Sequence, residues 1–121
     1  MIDSKKNRML LIDDNILFRN VLKQFVTLEC TATIIAEYDT IAACYLSDTR
    51  YTVDSIILNS NLVDRADYIK NHFKYNNAKI IAIVHYTDKL YLNAMIDKGI
   101  DHCVSIDNVF SELHSLLCKT N

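Results

Sequence analysis

Glycine occurs once in these 121 residues, at Gly99, and no loop of small residues follows the first apolar run, where Asp13-Asp14-Asn15 stands instead. An acidic pair repels phosphate, and the close approach of backbone N–H groups that a phosphate cradle needs is missing there. No apolar run approaches the ~18 residues that a membrane span requires. Met1 to Arg8 is polar and lacks the apolar stretch of a secretion signal, so the expected location is the cytoplasm. An excess of one charge is missing too: the net charge of −2 predicts no direct nucleic-acid contact and no anionic membrane partner. Cys30, Cys44, Cys103 and Cys118 form no C-x-x-C pair and no zinc-ligand spacing. They are expected to be structural thiols, with Cys44 and Cys103 acting as small core hydrophobes. His72 and His114 read as solvated helix residues.

What is present is an ordinary globular composition, 50% hydrophobic and 23% charged. The length suits one domain, residues 1–121, that hides about two-thirds of its unfolded surface. Strand and helix patterns alternate without repeats. Met9 to Ile12 is a short apolar run, followed by Phe18, Val21, Leu22 and Phe25 at helical spacing. Thr33 to Ala36 is a second strand, and Ile41, Cys44 and Tyr45 mark a short helix with Asp39 or Thr40 as cap. Ile56-Ile57-Leu58 reads as a strand buried on both faces, stopping at the polar Asn59. Asp64 caps a third helix carrying Ile69 and Phe73. Ile80 to Val84 is the clearest buried strand. Thr87 or Asp88 then caps a helix with Leu90, Tyr91, Ala94 and Met95 along one side. Gly99 falls where that helix must stop, a position that favours positive φ. Cys103 to Ile106 is the fifth strand, and Asp107 or Asn108 starts a last helix with Val109, Leu113, Leu116 and Leu117. Five β-then-α units predict an α/β fold, a parallel sheet between two helix layers with the flavodoxin-like order 2-1-3-4-5. Ligands of such sheets bind at the carboxyl ends of the strands, so Asn59 is placed where chemistry is expected.

Four segments, in order, carry a resemblance. Leu11-Ile12-Asp13-Asp14-Asn15 is similar to a strand ending in an acidic pair. Asp54 to Asp64 resembles D-L-I-I-L-D-L-N-L-P-D, Ile80 to His85 resembles I-I-A-L-T-A, and Gly99 to Asp107 resembles G-A-D-D-Y-L-T-K-P. Together they resemble the receiver domains of bacterial response regulators (CheY-like) along essentially the whole chain. Leu17-Phe18-Arg19, and Asp107 in place of a proline in a chain without any proline, resemble the NarL/LuxR-type subfamily. No effector domain follows within these residues, so the domain stands alone or belongs to a longer regulator.

The resemblance implies a degenerate phosphorylation site. The family's acceptor aspartate corresponds to Asn59, a neutral amide and poor nucleophile. Asp13 and Asp14 fill the places of the acids that hold Mg²⁺, with the Asn61 carbonyl as a third ligand. The hydroxyl at the end of the fourth strand is Val84, the strand-five lysine is Ile106, and the switch aromatic is Cys103. Losing an acceptor carboxylate and a lysine together leaves the site charge balanced. For Asp13 and Asp14 the alternative to weak Mg²⁺ binding is helix capping. No cofactor is expected. His85 either narrows the pocket mouth or points to solvent. Val84 and Ile106 are expected to contact Leu58 or Cys103 and close the upper core.

The resemblance therefore implies a pseudo-receiver, not an enzyme, acting in signal transduction by phosphorylation-independent interaction. Its partner face is the fourth helix, fifth strand and fifth helix, with Tyr91, Met95, Phe110 and His114; a protein partner, a fused effector or a homodimer docks there. The rivals are phosphorylation at Ser60 or Asp64, a flavodoxin-type flavin protein, and a small-molecule-sensing variant.

Overall fold

The computed structural model describes residues 7–46, 53–62 and 78–118. Five strands, β1 (Asn7–Ile12), β2 (Ala32–Tyr38), β3 (Ser55–Asn59), β4 (Lys79–Val84) and β5 (His102–Ser105), form one sheet in the order β2-β1-β3-β4-β5. Every neighbouring pair is parallel. The helices are α1 (Ile16–Glu29), α2 (Ile41–Leu46), α3 (Lys89–Asp97) and α4 (Val109–Leu117). The helix expected after Asp64, with Ile69 and Phe73, lies outside the described residues.

Side chains alternate across a strand, and β1, β3 and β4 follow that rule, whereas in β2 the register with β1 skips Ile35 and both Ile35 and Ala36 pack on the same core. Leu10, Ile12, Ile56, Leu58, Ile80, Ala82 and Val84 build one core with Ile41 and Cys44 of α2 and Met95 of α3. Met9, Leu11, Ile57, Ile81, Ile83 and Val104 build the other with Leu22 and Val26 of α1 and Val109 and Leu113 of α4. Each fully buried Leu or Ile contributes about 1.5–3 kcal/mol. Both faces of the central strands are covered, which is why their sequences are unbroken apolar runs.

Local signals set the helix ends. Asn15 Oδ1 accepts from the Phe18 N–H at 3.1 Å, and Thr40 Oγ accepts from the Ala43 N–H at 3.0 Å. An Asp88 carboxylate oxygen accepts from the Tyr91 N–H at 3.3 Å. Gly99, at φ 95°, ends α3 as expected.

Helix rotation was less legible. The stripe of α1 is centred on Leu22 and Val26, leaving Val21 exposed. On α3, Leu90 is 81% exposed, whereas Met95 is 3% exposed and Tyr91 and Leu92 pack towards the core. Met95 is therefore core and is removed from the expected partner face.

The cysteine expectation is corrected in part. Cys30 and Cys118, 88 residues apart, form a disulfide with their Cα atoms 4.7 Å apart. They follow the last residues of α1 and α4, which only the tertiary fold brings together. Cys44 and Cys103 remain thiols. Burial pushes the Cys44 thiol up to about 11 and raises Cys103 as well, so neither forms a reactive thiolate readily.

Candidate functional site

The strand ends converge on one edge of the sheet. Ile12 is paired with Leu58, so the next residue on each strand, Asp13 and Asn59, stand side by side. Val84 is paired with Ser105, which brings the ends of β4 and β5 level with them. The backbone of Asn59, the acidic pair, Val84 and Ile106 therefore lies along one edge of the sheet, whereas Cys103 pairs with Ala82 further down.

Asp13 is the buried member, at 1% exposure. Its N–H donates to the Tyr38 carbonyl at 3.0 Å, and its Oδ1 accepts from the Asn15 N–H at 2.8 Å. Oδ2 is buried and receives no hydrogen bond of ordinary length from the described residues. Burial raises the Asp13 carboxyl above the usual carboxylate range, and the neighbouring Asp14 charge adds to this. The Asn15 N–H, the Asn59 side chain and Arg19 act the other way without reversing it. Asp14 is exposed.

Asn59 spends its side chain on the local turn. Its Oδ1 accepts from the Asn61 N–H at 2.9 Å, closing an Asx-type turn. The next residue, Ser60, turns inward and is 3% exposed. The Tyr91 hydroxyl donates to Ser60 Oγ at 2.9 Å, so α3 is joined to the end of β3.

Val84 and Ile106 do not close the site together. Val84 shares a core with Leu58 and Cys103, whereas Ile106 packs against the core on the opposite face. The expected shared core is therefore found for Val84 and not for Ile106. Ile106 has the parity of Val104 and begins a 3-10 turn, Ile106–Asn108, so the pleat sends it to the α1–α4 side. His85, directly after β4, is exposed.

The donor set does not fit a Mg²⁺ centre. No group of three or more His, Cys, Asp or Glu that could hold a metal forms among the described residues. One Asp13 oxygen is occupied by Asn15 and the Asn59 oxygen by Asn61. Mg²⁺ sites draw on several carboxylate and substrate oxygens, and here Asp13 Oδ2 and the exposed Asp14 are what remains, with the Asn61 carbonyl.

Further linkages were not anticipated from the sequence. The Arg19 guanidinium donates to the Asp13 carbonyl and, at 3.0 Å, to Glu37 Oε1 at the end of β2. Lys23 pairs with Glu37 Oε2 at 2.7 Å. The Lys23 hydrogen bond, with Arg19 behind it, holds the Glu37 carboxyl below its usual range against the effect of burial. Glu112 of α4 accepts from the Ser105 N–H at 2.8 Å, fastening the end of β5. Arg19 had stood out only as part of Leu17-Phe18-Arg19; a cation one turn into a helix after an acidic strand end was the available signal.

Comparison with known proteins places this geometry. No protein-family profile matches the chain, and no curated protein sequence matches it. Solved structures do. The signal receiver domain of the NarL response regulator from Mycobacterium tuberculosis superposes with a TM-score of 0.79 at 18% identity, covering 93% of this chain and 94% of that one. The RcsB response regulator of Salmonella typhimurium, in a study of DNA interaction, gives 0.79 at 15% identity over 93% of this chain and 58% of that one. A LuxR-family two-component response regulator from an Aurantimonas species gives 0.77 at 15% identity, covering 92% and 81%. The chain has the flavodoxin-like receiver fold of response regulators.

Proposed function

We propose that this chain is a pseudo-receiver: one receiver-like unit in signal transduction whose output is protein–protein interaction independent of phosphorylation. The observation that carries the reading is Asn59, an amide at the end of β3 whose oxygen is already committed to the Asn61 N–H. An amide there is a poor nucleophile for a phosphoryl group. Val84 brings no hydroxyl to the pocket, Ile106 brings no cation, and Cys103 brings no aromatic ring. Ser60 is a poor substitute acceptor, because it is buried and holds the Tyr91 hydroxyl.

The partner face is assigned to α3, β5 and α4, with Tyr91, Phe110 and His114 in place of the four residues first expected. Phe110 lies at the margin of exposure and meets Phe25 of α1 with ring centroids 5.0 Å apart, and His114 is exposed. The occupant is a protein partner, a fused effector domain of the kind carried by longer regulators, or a second copy of this chain. No helix among the described residues is long and apolar enough to cross a membrane. The reading is tested by incubating the protein with acetyl phosphate and Mg²⁺ and weighing it. An unchanged mass is expected; a stoichiometric phosphoryl adduct, labile to hydroxylamine, overturns it.

A further inference from the structure

The Tyr91–Ser60 pair joins two elements that the sheet leaves separate. Ser60 follows the last residue of β3, and Tyr91 lies in the first turn of α3. Their hydroxyls are 2.9 Å apart, with Tyr91 donating. Both ends of this bond are held. On the β3 side, the Asn59 side chain grips the Asn61 N–H and turns Ser60 inward. On the α3 side, the Tyr91 N–H is capped by Asp88, and the Tyr91 ring packs against the core and meets the Tyr86 ring edge-on at 5.4 Å.

We infer that the Tyr91–Ser60 hydrogen bond is a built-in tether that sets the position of α3, and with it the partner face, from the turn after β3 without any ligand between them. The inference rests on the pseudo-receiver reading and supplies its mechanism. A face that no phosphoryl group moves needs something else to define its position. A half-buried hydroxyl pair does this, because separating the two takes the partner from Ser60 Oγ, in a residue only 3% exposed. The start of α3 therefore opens only when Ser60 loses its partner. Asn59 is part of the device: its side chain, freed from carrying a phosphoryl group, shapes the turn that presents Ser60.

The test is amide hydrogen exchange on the 121-residue protein and on its Tyr91→Phe, Ser60→Ala and doubly substituted forms, with no phosphodonor present. Tyr91→Phe keeps the ring and removes only the hydroxyl. Each single substitution is expected to speed exchange across residues 89–95 about five- to tenfold, as the loss of one buried hydrogen bond predicts. The double variant is expected to be no faster than either single one, while α1 and α4 stay unchanged. Unaltered exchange in α3 of Tyr91→Phe, or single effects that multiply in the double variant, overturns the tether. If Ser60→Ala does not fold, Tyr91→Phe alone decides the matter. Failure here leaves the phosphorylation result untouched, so the two ideas fall separately.

Discussion

Val84 and Ile106, the residues expected at the switch-hydroxyl and lysine positions, lie on opposite faces of the sheet. Val84 belongs to the core beneath α2 and α3, and Ile106 packs on the core beneath α1 and α4. A hydroxyl and a lysine that together grasp a phosphoryl group must reach the same point. Here one side chain has been absorbed into each core.

Restoring one group does not restore the chemistry. Asn59→Asp is expected to give at most slow, short-lived phosphorylation by acetyl phosphate, because Val84 offers no hydroxyl and Ile106 no cation to the new carboxylate. Time-resolved intact-mass measurement checks this. Rapid and durable phosphorylation of that single variant means that Val84 and Ile106 do not matter as argued.

Val84→Thr probes how closed the pocket is. Val84 is 1% exposed among apolar side chains, so the new hydroxyl is buried. A loss of about 1–3 kcal/mol is expected from urea unfolding. An unchanged midpoint indicates that the hydroxyl finds a partner and that a polar pocket survives.

The partner face should ignore the pocket. In an NMR titration with Mg²⁺ and beryllofluoride, shifts near Asp13 and Asp14, or none, are expected. A ligand shifts a conformational equilibrium only through differential affinity for its two states, and in the proposed pseudo-receiver Val84 and Cys103 replace the side chains that would couple them. Concerted shifts around Tyr91 and Phe110 contradict the pseudo-receiver reading.

Asp13 and Glu37 respond to pH in opposite senses. Glu37 is held low by Lys23 and Arg19, so its stabilisation is present above the ordinary glutamate range and is lost as pH falls through the lowered folded value. Asp13 is held high by burial, so the folded state keeps its proton longer than the unfolded chain does. Stability from that group falls as pH rises from the ordinary aspartate range through the raised folded value. Glu37→Gln is expected to cost about 0.5–1 kcal/mol at neutral pH, the range for partly solvated ion pairs. Urea midpoints against pH should then show the Asp13 decline in Glu37→Gln, and lose it when Asp13→Ala is added. A decline that persists without Asp13 assigns it to another group.

The disulfide is checked by counting thiols. Unfolded without reductant, the protein should be alkylated at Cys44 and Cys103; with reductant, at all four cysteines. Reduction should lower stability by about 2–5 kcal/mol, since the bond closes a loop 88 residues long. Four modified cysteines in the unreduced sample would falsify the pairing.

By itself, the order of residues determined the alternation of strands and helices, the caps to within one residue (Asp39 or Thr40, Thr87 or Asp88), the stop at Gly99 and the identities at the strand ends. These are local properties. Strand alternation has a strict period of two, so even the opposite faces of Val84 and Ile106 were implicit in Ile80-Ala82-Val84 and Val104-Ile106 once the register was known. Tertiary structure decided what depends on helix rotation and on distant partners. An apolar helix stripe is wide enough to tolerate rotation, so Leu90, expected on the same side of α3 as Met95, was left exposed, and Met95, expected on the partner face, was buried. The raised carboxyl of Asp13 follows from burial that no local pattern reports. The links Arg19–Glu37, Tyr91–Ser60 and Cys30–Cys118 join residues 18, 31 and 88 positions apart, and only the folded chain brings them within bonding distance.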